Sequence, residues 1–394
     1  MAESLVLVVN PGSASRKYAL FADGIKKANV HFEFVNDAVV GTVEFGDIKH
    51  SVKYSDANLE NVSKYILTLL QKYEVISESE TLSAVGIRIV APSDNFAKDQ
   101  LLTDEVIAQL ESLQQKAPLH ITTALSEIKH LKNVFVDVPL IAISDSAFHT
   151  TKPEWATYYG IDTELAEKFG IKRYGYHGVS VGSVVNRLQE ASQMYEKTII
   201  CHLGSGSSVT ALINGKSMET TMGYSPLEGL MMSTRSGNLD VAAALALKRN
   251  LHLYDNGLEQ YLNKSSGLMG VSGKSDDIRQ LLVLESQNDK RATLALKLFV
   301  YKIQQAIGQM AASIGGADCL IFTATIGERS CVIRERILEQ LAYLGFENNK
   351  TVNDETFEPK NIVNIGAIST KPVLVVATDE SAEIAHRSEQ FKKR

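Results

Sequence analysis

Cysteine is scarce: the 394 residues hold three, Cys201, Cys319 and Cys331, and no spacing among them suits a zinc site or a disulfide framework. A reduced, cytoplasmic setting is expected. Long apolar runs are also missing, since stretches such as residues 5–9 and 373–377 fall far short of the roughly 18 residues of a membrane helix. No bilayer span is expected, and the opening Met1-Ala2-Glu3-Ser4 lacks the cationic leader and apolar core of a secretory signal. Neither sign of charge dominates: 40 Lys and Arg face 46 Asp and Glu, a net charge of −6. No general attraction therefore draws the chain to nucleic acid or anionic membrane, and an anionic ligand must be held by local cations. Proline-rich and serine-rich linkers are absent too, so the domain boundary is unmarked and is placed near residues 148–155. What remains is a water-soluble globular composition, 44% apolar and 22% charged, too long for one core and suited to two domains.

Strand-length apolar stretches alternate with segments of helical period, which predicts an α/β or mixed fold. Five strands are expected to end in polar or glycine-rich turns. Residues 5–9 run into Asn10-Pro11-Gly12-Ser13, residues 140–144 into Asp145, and residues 198–203 into Gly204-Ser205-Gly206-Ser207-Ser208. Residues 319–323 run into Ala324-Thr325-Ile326-Gly327-Glu328, and residues 373–377 into Thr378-Asp379-Glu380. Open α/β sheets bind ligands at such ends. Val62, Ile66, Leu69, Leu70 and Tyr73 share one helical face, as do Val106, Ile107, Leu110 and Leu113, and Pro118 is expected to stop the second helix. Ser180 suits the N-cap of a helix carrying Val181, Val184, Val185 and Leu188, with His177 and Gly178 in the turn before it. A long helix near residues 291–314 should end at Gly315-Gly316. Residues 5–20 and 198–213 both read strand, Gly/Ser turn, strand, which suggests a duplicated fold.

The glycine-rich turn at residues 204–208 lies between two strands, so it is not a dinucleotide fingerprint. The Gly-Lys-Ser triplets at 215–217 and 273–275 lack the preceding glycine of a P-loop. What survives is a pair of hairpin turns, 10–15 and 204–208, whose amides and hydroxyls can cradle phosphate or simply reverse the chain. Arg88 lies on a strand over residues 84–90, opposite the face of Val85, Ile87 and Ile89, where it suits either an anionic ligand or a structural carboxylate. Arg235, in Ser233-Thr234-Arg235-Ser236-Gly237, fits phosphate or carboxylate recognition as well as it fits a plain surface position. Asp145 and Glu380 can hold a divalent cation, although Asp379 and Glu380 also suit helix capping. His120 and His177 are both expected in turns.

Together these pieces resemble the acetate kinase family, the acetate, propionate and butyrate kinases of the actin, Hsp70 and sugar kinase superfamily. The resemblance spans essentially the whole chain. It is carried by Val6 to Ser15, by Ala117-Pro118-Leu119-His120, by Asp145-Ser146-Ala147-Phe148-His149 and by Arg173-Tyr174-Gly175-Tyr176-His177-Gly178. It continues through Cys201-His202-Leu203-Gly204-Ser205-Gly206, Pro226-Leu227-Glu228-Gly229, Thr234-Arg235-Ser236-Gly237, Ser265-Ser266-Gly267-Leu268-Met269-Gly270 and Phe322-Thr323-Ala324.

The resemblance implies two ribonuclease H-like (actin-like ATPase) domains with mixed sheets flanked by helices and an internal duplication. It places an N-terminal domain at 1–148, joined by a C-terminal helix at about 381–394, and a nucleotide-binding domain at 149–380. It implies a homodimer using ATP or ADP and acetate, with Mg²⁺ or Mn²⁺, and no nucleic acid or membrane partner. Asp145, His177, Arg235 and Arg88 would be catalytic, and Asn10, Asp145 and Glu380 would organise the metal. Arg88, Val90, Leu119, His120, Tyr176 and Pro226 would take the carboxylate. Asn10, Ser13, Ser15, Lys17, His202, Gly204, Ser205, Gly206, Asp277, Ile278, Arg279, Thr325 and Gly327 would take the nucleotide. Acetate is already an anion, so attack on phosphorus needs offsetting cations rather than a base.

The chain departs from the family pattern at several points. Ile87 replaces a histidine, Ala91-Pro92-Ser93 replaces His-Gly-Gly, and Ile121-Thr122-Thr123 replaces Asn-Pro-Pro. Val179-Ser180-Val181 stands for Thr-Ser-His, Ser205 for Asn, Thr325 for Gly and Arg329 for Asn. Tyr176 stands for Phe and is expected to add a hydroxyl to the acyl pocket.

Overall fold

The protein, seen in a computed structural model, is described over residues 4–11, 15–35, 38–55, 58–59, 61–114 and 118–392, the side chains of 118–120 and 392 excepted. It divides into two units, Met1–Ala147 with Asp379–Arg394, and Phe148–Thr378.

The first unit is built on eight strands: β1 (Leu5–Pro11), β2 (Ser15–Ala22), β3 (Ile25–Val35), β4 (Ala38–Phe45), β5 (Ile48–Tyr54), β6 (Leu82–Ile89), β7 (Gln100–Leu101) and β8 (Leu140–Ser144). Their order is β5-β4-β3-β2-β1-β6-β8-β7. The segment from β1 to β5 is an antiparallel meander, while β1, β6 and β8 run parallel. Inward residues such as Leu7, Val9, Leu20, Val85 and Ile87 are fully buried. Against them pack α1 (Ile66–Lys72), α2 (Asp104–Ser112) and α3 (Pro118–Val134). The C-terminal helix, Glu380–Lys392, returns to this unit with Ile384, Ala385 and Ser388 buried. A Cβ on Gly86 of β6 would sit 2.2 Å from Ser388 Oγ, so a residue without a side chain is required where this helix crosses.

The second unit holds α4 (Thr163–Phe169), α5 (Gly178–Glu190), β9 (Lys197–Leu203), β10 (Ser207–Ile213) and β11 (Lys216–Thr220). It continues with α6 (Val241–Asn250), α7 (Asp255–Lys264), α8 (Gly267–Ser272), α9 (Ile278–Ser286), α10 (Lys290–Ser313) and β12 (Cys319–Thr323). It closes with α11 (Ala324–Arg329), α12 (Cys331–Leu338), α13 (Lys350–Glu355), β13 (Val363–Asn364) and β14 (Val373–Val375). Its sheet runs β11-β10-β9-β12-β14-β13. From β11 to β14 the pairings are antiparallel, antiparallel, parallel, parallel, which repeats β3-β2-β1-β6-β8 of the first unit. The echo between residues 5–20 and 198–213 is therefore a repeated hairpin at the same place in two like sheets.

Five local expectations are corrected. Pro118 does not stop α2, which ends at Ser112; it opens α3, because a residue with no N–H and a fixed φ suits the first helical position. His120 consequently lies in a helix and not a turn. Ser180 is inside α5, not its N-cap, and its buried hydroxyl serves a histidine instead. Residues 324–328 form α11 rather than a turn, and the last strand ends at Val375, two residues early.

Candidate active site

In the first unit the parallel strands β1, β6 and β8 carry Asn10, Arg88 and Asp145 at or just past their C-terminal ends. Glu380 opens the C-terminal helix. Arg88 makes a two-pronged pair with Asp145, Nε to Oδ1 at 3.1 Å and Nη2 to Oδ2 at 2.8 Å, and lies 3.9 Å from Glu380. Asn10 Nδ2 donates to Glu380 Oε2 at 3.1 Å. Asp145 is fully buried, so its charge depends on the arginine. Burial pulls the Arg88 guanidinium down, but Asp145 and Glu380 outweigh it and hold Arg88 above its ordinary value. Asp379 caps the helix through the Ala382 amide at 2.9 Å and pairs with Lys26. Capping therefore falls to Asp379, leaving Glu380 with Asn10 and Arg88. Val90 is partly buried just past β6; Ser15 begins β2, and Lys17 is exposed on it. Ser13 lies outside the described residues, as do the side chains of Leu119 and His120.

These donors suit Mg²⁺. Among the described residues no three His, Cys, Asp or Glu side chains gather to hold a metal alone, and Mg²⁺ typically takes one or two carboxylates plus substrate phosphates. Glu380 supplies hard oxygens. Asp145 keeps further lone pairs beyond those Arg88 engages.

In the second unit the β9–β10 turn closes with Gly204 N donating to Gly206 O at 3.0 Å. His202 on β9 stacks on His177 with ring centroids 4.0 Å apart. Serines fix both rings: Ser208 Oγ lies 2.9 Å from His177 Nδ1, and Ser180 Oγ lies 2.7 Å from His202 Nδ1. His177 caps α5 in the left-handed region, φ 60°, a conformation that costs a non-glycine residue energy and recurs at functional sites. A Cβ on Gly206 would meet His177 Nε2 at 3.2 Å and Arg235 Nη1 at 3.5 Å. Both side chains thus converge on Gly206, where a Cβ would crowd the imidazole. Arg235 Nη1 also reaches the Pro226 carbonyl at 3.4 Å. Tyr176 is buried, and its hydroxyl donates to the Tyr224 carbonyl at 2.7 Å.

A cavity of about 650 Å³ in the same unit brings together Ser205, Asp277, Ile278, Arg279 and Thr325. Asp277 caps α9 and grips Arg279 Nη2 at 2.6 Å, and that contact holds its carboxyl below the usual range. Gly327 is buried on α11 and is not among the residues lining the cavity; a Cβ there would be 3.4 Å from the Phe322 carbonyl carbon. Sequence reasoning missed Phe357, which lines the cavity with Arg329. No motif surrounds that phenylalanine. Ser180 and Ser208 stand beside His177 and in the glycine-rich turn, but nothing local marks them as partners of the histidines.

Two like mixed sheets flanked by helices, with polar groups gathered at the ends of their central strands, define the class: a duplicated actin-like ATPase fold built for phosphoryl transfer. Comparison narrows it. The family model described as the Acetokinase family matches residues 5–386. The acetate kinase of Thermoanaerobacterium thermosaccharolyticum is 38% identical over 396 residues, covering 98% of each chain. That of Bacteroides thetaiotaomicron is 34% identical over 402 residues, covering 99% of this chain and all of its own. Among solved structures, Porphyromonas gingivalis acetate kinase superposes with a TM-score of 0.87 at 31% identity, covering 99% of this chain and 100% of that one. A propionate kinase from Francisella tularensis reaches 0.90 at 29% identity, covering 98% and 99%. The chain belongs to the acetokinase family.

Proposed function

We propose that the protein transfers the γ-phosphoryl group of ATP to acetate, reversibly, giving acetyl phosphate and ADP, with Mg²⁺ or Mn²⁺ required. The observation that carries this reading is the convergence of His177 and Arg235 on Gly206. A transferring phosphoryl group spreads negative charge over its equatorial oxygens, and preorganised donors aimed at that charge are the main catalytic need. The reading takes the Ser208 hydroxyl, 2.9 Å from His177 Nδ1, as the donor in that contact, which leaves an N–H on Nε2 to donate to a phosphoryl oxygen. Arg235 supplies a fixed positive charge beside it. Arg88, kept charged by Asp145 and Glu380, is the cation for the acetate carboxylate. Mg²⁺ held by Glu380 and Asp145 with Asn10 would offset charge on the nucleotide phosphates. Nucleotide recognition is assigned to the cavity at Ser205, Asp277, Ile278, Arg279 and Thr325, with Ser13, Ser15, Lys17 and His202 toward the phosphates. Val90, Leu119, His120, Tyr176 and Pro226 are assigned to the acyl side.

A second reading, propionate as the preferred acceptor, is favoured by the likeness to a propionate kinase. Hydroxylamine trapping of the acyl phosphate separates the two. Acetate with ATP and Mg²⁺ should give the most hydroxamate, EDTA should abolish it, and propionate should trail acetate. A larger yield from propionate would favour the second reading, and no hydroxamate from any acid would overturn both.

The reading extends to a cytoplasmic homodimer without nucleic-acid or membrane partners. Among the described residues no helix is long and apolar enough to cross a membrane. Helix α6 is largely apolar yet has no buried residue: Val241 is 74% exposed and Leu245 46%. Such a face fits a second copy of the chain.

A further inference from the structure

We propose that Phe357 is the platform on which the purine of the bound nucleotide stacks, and that two arginines, Arg329 and Arg334, hold it in place. The inference rests on the reading above, that ATP occupies the cavity of the second unit. Phe357 is a large apolar side chain, 62% exposed, that lines this cavity beside Thr325, Ile326 and Arg329. It sits in a segment without regular structure between α13 and β13, where an aromatic ring would ordinarily wander.

Here both of its neighbours are tied down. On one side the Thr356 carbonyl accepts from Arg334 Nη2 at 2.8 Å. Arg334 is fully buried on α12. It also donates to Asn353 Oδ1 at 2.8 Å, to the Asn353 carbonyl at 3.0 Å and to the Gly327 carbonyl at 2.9 Å. One guanidinium thus joins the segment before Phe357 to helix α11, which forms another part of the cavity wall. On the other side Glu358 takes Arg329 Nε at 2.6 Å, and its own amide donates to the Glu328 carbonyl at 3.2 Å. Glu358 stands at φ 43° directly before Pro359, a strained backbone that persists where its surroundings over-determine it. Arg329 is also the residue at which this chain departs from the asparagine common in the family.

A ring whose two flanking residues are bonded in place, at the rim of a cavity, offers one thing to a ligand, a flat apolar face. Phe357 has no polar atom to read the edge of a base, so it would serve any purine and contribute nothing to the phosphates. Base–aromatic stacking of the usual strength corresponds to roughly five- to hundred-fold in affinity.

The test compares two probes, ADP and inorganic tripolyphosphate, which shares the phosphates and lacks the base. Titration calorimetry on the full chain should give Phe357→Ala an ADP Kd weaker by roughly five- to hundred-fold, with tripolyphosphate affinity unchanged. Phe357→Trp should bind ADP like the wild type, and Arg329→Asn should weaken ADP by a smaller factor. Because Phe357 is exposed, an unchanged melting temperature is expected and removes misfolding as an explanation. A wild type that binds ADP with a Phe357→Ala variant of equal affinity overturns the inference alone. Equal weakening of ADP and tripolyphosphate also overturns it. A wild type that binds no ADP overturns the reading beneath it as well.

Discussion

In the proposed function Arg88 serves a ligand, and in the fold it serves the protein. Its guanidinium is the partner of a carboxylate with no exposure to water, so removing it takes a cation from the acceptor and leaves a buried charge unpaired. Arg235 Nη1 is bonded to the Pro226 carbonyl. Either substitution to Ala should lower kcat by roughly 10²–10³. Arg88→Ala should in addition lose about 3–5 kcal/mol of stability. Steady-state rates and urea melts of the two variants side by side decide it, and equal melts would mean that Asp145 finds another partner. Lys152 offers a second contrast. It is buried, its Nζ donates to the Arg173 carbonyl at 2.7 Å, and burial pulls its amine down to about 8. An unfolded lysine titrates near 10.4. Between about pH 8 and 10.4 the unfolded chain thus holds a proton that the native chain has released, and stability from this group rises with pH. Below that window both forms are protonated and its penalty is constant. Lys152→Met should flatten the rise, by up to about 3 kcal/mol across the window, in melts run at about pH 7.5, 8.5 and 9.5. A variant whose pH profile parallels the wild type would show that Lys152 keeps its charge when buried.

Thr325 lies in the first turn of α11, and Ser205 in the turn between β9 and β10; both line the cavity proposed above for the nucleotide. Replacing them with the residues usual in the family, Ser205→Asn with Thr325→Gly, should lower the KM for ATP several-fold with kcat nearly constant. Because Thr325 is helical, the glycine should also cost roughly 0.3 kcal/mol in a thermal melt, the difference between glycine and threonine in helix propensity. A raised KM would mean that the two residues suit another phosphoryl donor. The strands at residues 140–144 and 319–323 were legible to the residue, because period and turn chemistry are local and the flanking polar residues punctuate them. Pro118 was misread because a proline opens a helix as readily as it follows one, and the deciding residues lie on the far side. Ser180 was misread because tertiary contact overrode a capping signal: its hydroxyl is drawn to His202 and Thr378. The family residues at strand ends were visible as motifs. Arg334 and Phe357 were not, since a buried guanidinium that bonds carbonyls up to 22 residues away leaves no periodic trace.

At the scale of the whole molecule, the exposed face of α6 continues through Leu239, Leu251 and Tyr254, the last 88% exposed. Leu245→Glu should convert a dimer to a monomer in sedimentation velocity, while each unit keeps its fold; a wild type that sediments as a monomer would remove the face from consideration. The return of the C-terminal helix to the first unit has a different bearing. Residues 5–144 supply that unit's sheet, yet Ile384 and Ser388 complete the packing over β6, more than 230 residues after β8 has been made. Synthesis runs from the N-terminus, so a growing chain on the ribosome can close the core of the second unit while the first still waits for its last helix, and the domain made first is the domain finished last. Over that interval the bare face of β1 and β6 is the surface a chaperone would meet.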